Sequence, residues 1–300
     1  MLSHLRRATQ VLAFVVALVL APLSFGLLGL GGVASAATTS SIFYLDIGGS
    51  ASVGVQPTST NPHGEPTDSG YANDLVNLEA ANGVTLQMVQ TGCPGESTTT
   101  MLYGGDHCYQ APTTQLIADV AFLQAHHDET GIVTIDLGFN NVVKCMKLTT
   151  GVSDCLNQGF ATVRSELPQI LTALESAAGP NVHFVGVGHY DPFLESALHG
   201  VTGVAKSARS LDAMSTLNRT LTSVYQSFLI PTADVARAFK NFDRSPTTLR
   251  GVGIVGTNVA ETCALTWMCQ PAPFGPNLHP NVTGYQVIAA AIAAKLPDTI

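Results

Sequence analysis

The feature that most constrains this chain is a rhythm: short runs rich in β-branched and aromatic residues alternate with longer amphipathic stretches from Ser41 to Leu296. Runs 41–47, 84–89, 131–137, 182–187 and 232–235 have strand character. Stretches 71–81, 113–126, 159–177, 205–228 and 283–296 carry apolar residues at helical spacing. Strands parted by helices build βαβ units, so the chain predicts an α/β fold around a parallel sheet buried on both faces. Ligands of such sheets bind outside the carboxyl ends of the strands. Segments 56–69, 101–112 and 236–276 are rich in Pro, Gly, Thr and Asn and read as loops. The last is long enough to predict a lid or site-framing segment.

The strand ends carry the candidate chemistry. The first strand runs into Gly48-Gly49-Ser50, where a serine hydroxyl is a potential nucleophile, although glycine and serine are also ordinary turn formers. The second runs into Gly92-Cys93-Pro94-Gly95-Glu96, whose glycines let backbone N–H groups approach a developing oxyanion. The third meets Gly138-Phe139-Asn140-Asn141, where the Asn140 amide is a donor of the same kind. The fourth meets Gly188-His189-Tyr190-Asp191, read as a loop packing against the site rather than as a second base. Just before the last helix, His279 in Pro276-Asn277-Leu278-His279-Pro280 stands where a general base is needed.

Taken together and in this order, GGSASVG (48–54), CPGES (93–97), GFNN (138–141) and PNLHP (276–280) resemble the blocks of the SGNH or GDSL hydrolases. The likeness is greatest to secreted actinobacterial esterases and lipases, which share the GYQVIAAAI type of ending. The resemblance implies a three-layer α/β/α, flavodoxin-like domain with a parallel sheet of about five strands. It also implies a catalytic Ser50, a base in His279, and an oxyanion hole made of the Ser50 N–H, the Gly95 N–H and the Asn140 amide. The substrate implied is a small-molecule or lipid ester, fatty-acyl by first choice and acetylated carbohydrate as the alternative. No metal, organic cofactor or stable protein partner is implied.

Two departures from the family pattern stand out. Gly49 replaces the aspartate beside the nucleophile, and Pro276 stands where the triad acid belongs, three residues before His279. An imidazole N–H can be held by a backbone carbonyl instead, so the Pro276 C=O is the expected partner, with Asn277 or a distant acid as alternatives. Loss of both aspartates also admits an inactive relative that binds a glycan or lipid in the same cleft.

The amino terminus is tripartite. Arg6 and Arg7 precede a nearly unbroken apolar stretch, 11–33, that ends at Ala34-Ser35-Ala36. This is the build of a secretory signal peptide, with an uncleaved membrane anchor as the rival, and it predicts a secreted domain over 37–300. Removing 1–36 moves the formal charge from −8 to about −10, which argues against nucleic acid as a partner. All six cysteines lie beyond the leader, and an oxidising destination favours three disulfides between sequence neighbours: Cys93 with Cys108, Cys145 with Cys155, Cys263 with Cys269.

Overall fold

The computed structural model describes residues 42–297, so the leader, its cleavage site and the choice between secretion and anchoring lie outside the described residues. In chain order the elements are β1 (Ile42–Gly48), α1 (Tyr71–Ala81), β2 (Leu86–Gln90), α2 (Thr98–Tyr103), α3 (Gln115–Ala125), β3 (Gly131–Asp136), α4 (Phe139–Val142) and α5 (Val152–Ala177). There follow β4 (Val182–Val187), α6 (Gly200–Ser227), β5 (Thr232–Ala233), α7 (Val235–Ala238), β6 (Pro246–Leu249), β7 (Gly253–Gly256), α8 (Thr257–Leu265) and α9 (Val282–Ala293). Among the described residues no helix is long and apolar enough to cross a membrane.

Strands β1 to β5 form a five-stranded parallel sheet in the order β2-β1-β3-β4-β5. Every residue of β1 is buried, as expected of a strand with helices over both faces. The alternation along it assigns the layers. Phe43, Leu45 and Ile47 join a core with Leu123 of α3, Leu167 and Leu171 of α5, and Leu217 and Leu221 of α6. Ile42 and Tyr44 face the other way, into Tyr71 and Leu75 of α1 and Tyr285, Ile288 and Ile292 of α9. The result is three layers, α/β/α. Asp46 shares the second face and is fully buried, with its Oδ1 accepting hydrogen bonds from the Tyr71 hydroxyl and Thr134 Oγ1, each at 2.8 Å.

The structure corrects the sequence reading in three places. Helix α5 starts at Val152, two turns before the expected residue 159, because Gly159 is a contact and not a start: a Cβ there would lie 2.7 Å from the Asn141 carbonyl oxygen. Segment 236–276 is not one loop but holds the β6–β7 hairpin and α8, whose short length hid its helical pattern. Helix α2 overlaps the start of the expected loop 101–112 and is set by a capping box: Ser97 Oγ accepts the Thr100 N–H at 3.2 Å, and the Ser97 N–H reaches Thr100 Oγ1 at 2.9 Å. The three disulfides join the expected pairs.

Candidate active site

The turn after β1 is forced by glycine. Gly48 has φ 150° and lies in register with Asp136 of β3, so close that a Cβ would fall 2.4 Å from the Asp136 carbonyl oxygen. The Gly49 N–H then bonds that same carbonyl at 3.2 Å, and Ser50 opens a turn closed by the Val55 N–H on the Ser50 carbonyl at 3.0 Å. A cavity of about 30 Å³ opens there. It is lined by Ser50, Asn140, His189, Tyr190 and His279, with Phe139 and Leu278 as its apolar walls. Three of the four residues expected to act thus meet at one strand edge. Gly95 is not among the lining residues, although its neighbour Glu96 is.

The partner of His279 is a side chain and not the Pro276 carbonyl. Asn277 Oδ1 accepts both the backbone N–H of His279 at 3.0 Å and its Nδ1 at 2.8 Å. A backbone N–H can only donate, so this contact identifies the oxygen of the Asn277 amide. The proton therefore sits on Nδ1, and Nε2 keeps a free lone pair. Asn277 is itself buried and donates through Nδ2 to the carbonyls of Pro62 at 2.9 Å and His63 at 3.3 Å. Segment 56–69 is therefore a support for the base. Burial lowers the His279 pKa to about 4, which keeps the ring neutral and able to accept a proton at ordinary pH.

His189 lines the same cavity but is spent. Its Nε2 faces the Leu137 carbonyl at 2.9 Å and must donate there, and its Nδ1 lies 3.4 Å from Asp136 Oδ1. No lone pair remains for a serine, in line with the reading of 188–191 as a packing loop. The Tyr190 hydroxyl adds a brace, donating at 2.7 Å to the carbonyl of Leu278 beside the base. Asp136 is a site residue that the sequence concealed inside an apolar strand; burial raises its pKa, and the facing His189 offsets part of the rise.

On the oxyanion side, Asn140 Nδ2 donates one hydrogen to the Glu96 carbonyl at 2.9 Å, which fixes the amide and leaves its second hydrogen free to point elsewhere. A Cβ on Gly49 would come within 3.0 Å of that Nδ2. The departure at Gly49 thus has a steric counterpart in the placement of Asn140. Cys93, Cys108 and His107 cluster nearby, but both sulfurs are used in a disulfide and offer no thiolate to a metal.

No family model and no curated protein matches the chain. Solved structures do. An extracellular lipase from Streptomyces rimosus superposes with a TM-score of 0.55 at 16% identity, covering 85% of this chain and 100% of that one. Phospholipase A1 from Streptomyces albidoflavus NA297 gives 0.52 at 18% identity, over 85% and 99% of the two chains. An acetyl xylan esterase variant from Geobacillus stearothermophilus gives 0.52 at 15%, over 85% and 94%. The fold of this chain is the three-layer α/β/α fold shared by these lipases and esterases, the fold class expected from the sequence.

Proposed function

We propose that this protein is a serine ester hydrolase that works through a Ser50 acyl-enzyme. The observation that carries this reading is the convergence of Ser50, Asn140 and His279 on one small cavity, with His279 held by Asn277 in the tautomer a base requires. His279 Nε2 takes the Ser50 proton as Oγ attacks the ester carbonyl, and returns it to the leaving alcohol. The Ser50 N–H and the free hydrogen of Asn140 Nδ2 hold the oxyanion. Ser-His-Asn replaces Ser-His-Asp here, as Cys-His-Asn serves in another hydrolase class. We assign the protein to the secreted hydrolases, on the leader at 1–36 and the three disulfides.

The geometry favours a short acyl group. A cavity of about 30 Å³ walled by Phe139, Tyr190 and Leu278 suits an acetyl group better than a fatty chain. Beyond Asn140 a cavity of about 380 Å³ is lined by Ser97, Thr99, Thr100, Lys144, Gln158 and Thr162, a polar setting for a hydroxyl-rich alcohol. The acetyl xylan esterase shares this fold. p-Nitrophenyl esters from acetate to palmitate, tested on the protein and on Ser50→Ala, decide both points. Turnover confined to short esters and lost in the variant is expected. A preference for long chains would overturn the acyl assignment, and equal rates in the two proteins would overturn the serine mechanism.

A further inference from the structure

The turn that carries Gly95 hides a second titrating group. Glu96 has no solvent exposure, and neither of its carboxylate oxygens has a hydrogen-bond partner among the described residues. Within 4.8 Å of it lies a carboxylate oxygen of Asp106. Asp106 Oδ1 accepts the backbone N–H groups of Cys108 and Tyr109, both at 2.8 Å, while its Oδ2 is buried and unpartnered. Two backbone donors favour the anion at Asp106, whereas at Glu96 burial outweighs the Thr100 hydroxyl and the Ser97 N–H that favour it. The other titratable groups around the pair are Tyr109 and the exposed His107 on the same loop, Asp119 of α3 and Glu166 of α5, with Asp136 and His189 across the cavity. Lys144 lines the adjoining cavity with Ser97, Thr100 and Asn140.

We propose that Glu96 is a positioning residue of the oxyanion hole, held as a neutral acid whose O–H donates to Asp106 Oδ2. One proton then satisfies two buried oxygens that would otherwise repel each other as bare carboxylates. The latch ties the 104–109 loop and its Cys93–Cys108 disulfide to the turn whose carbonyl, that of Glu96 itself, anchors the Asn140 amide at 2.9 Å. When base removes the proton, two facing anions push the turn from the loop, and Asn140 loses its anchor. Burial, with a further push from Asp106, raises the Glu96 pKa to about 7, which sets where this happens.

The effect on catalysis rests on the serine reading above, but the latch itself does not, so the test has two readouts. The first is the melting temperature of the full chain against pH, for the wild type, Glu96→Gln, Asp106→Asn and Ser50→Ala. The second is kcat against pH for the three forms that keep Ser50. A glutamine at 96 donates to Asp106 at any pH, and an asparagine at 106 donates to an ionised Glu96, so either change makes the latch independent of pH. In the wild type, kcat is expected to fall about tenfold per pH unit above about 7, with KM little changed, and the Glu96 share of the melting temperature to be lost between the ordinary carboxylate range and about 7, where the unfolded chain has already released the proton that the fold still holds. The kcat fall should be absent and the melting fall shallower in Glu96→Gln, and in Asp106→Asn should the first variant not fold, the remaining melting slope belonging to Asp46, Asp119 and Asp191. Ser50→Ala should keep the wild-type melting profile with no turnover, so an inactive wild type would count against the serine reading and leave the latch to its melting profiles. An alkaline fall in kcat that persists in both variants, or a melting profile as steep in both as in the wild type, overturns the latch. So does a wild type whose alkaline melting temperature rises with added calcium and drops with chelator, since a cation would then fill the pair.

Discussion

At the scale of single residues, the cavity brings together Ser50 and Asn140, each at a glycine-bearing turn where a strand ends, and His279 from the loop before α9, and such turns leave a local trace in sequence. Replacing Asn140 by alanine removes one oxyanion donor and should lower kcat by about 10² to 10³ with KM nearly unchanged, measured by steady-state kinetics. The side chain that holds His279 stood in the sequence reading only as an alternative to the Pro276 carbonyl. Pro276 and Asn277 both carry an oxygen, and the choice between them is made by carbonyls of Pro62 and His63, far away in the chain. Asn277→Ala should therefore cost at least an order of magnitude in kcat, below the roughly 10⁴ that follows a wrong tautomer in the Ser-His-Asp case. Pro276→Ala should leave kcat close to wild type; the reverse ranking would reinstate the proline carbonyl. At Gly49 an aspartate does not fit without a shift of its neighbours. Gly49→Asp brings a Cβ to 3.0 Å from Asn140 Nδ2 and should lower kcat, whereas a gain in activity would show the glycine to be a defect.

The elements were read best where periodicity is long and plain. Helix α1 and strand β4 have the bounds expected from their patterns, and both bury continuous apolar faces. Short elements held by tertiary contacts were missed: α8 spans nine residues, and Cys263, buried near its end, is bonded to Cys269 in the segment that leads to the base. Trp267 lies on that segment, its N–H bonded to the His279 carbonyl at 3.1 Å and its carbonyl accepting the Asn277 N–H at 3.3 Å. Reduction should accordingly do two things. It should lower the melting temperature, each native disulfide being worth about 2 to 5 kcal/mol in small secreted domains. It should also lower kcat before global unfolding, as the 263–279 segment loosens. A melting curve unchanged by reductant would show the bridges to be dispensable.

For the whole molecule, burial of acids dominates the response to pH. Burial raises Asp46 and Asp119 to about 8 and Glu96 and Asp191 to about 7. Each holds its proton in the folded chain where the unfolded chain has lost it, so stability falls as pH rises from the ordinary carboxylate range toward 8. His279, lowered to about 4, acts in the opposite sense, costing stability as pH falls from 6.5 to 4. Four groups outweigh one, and the melting temperature should be greatest near the ordinary carboxylate range, at about pH 4; a maximum above about 8 would contradict the buried-acid network. The central claim, that the cavity at the sheet edge makes an acyl-enzyme, is tested most directly by intact-mass analysis of the protein quenched in acid during turnover of p-nitrophenyl acetate. A mass gain of one acetyl group, mapped to the peptide holding Ser50 and absent from Ser50→Ala, is the expected result, together with a burst of p-nitrophenol matching the enzyme concentration. Turnover with no adduct, or with the adduct on another residue, would contradict it.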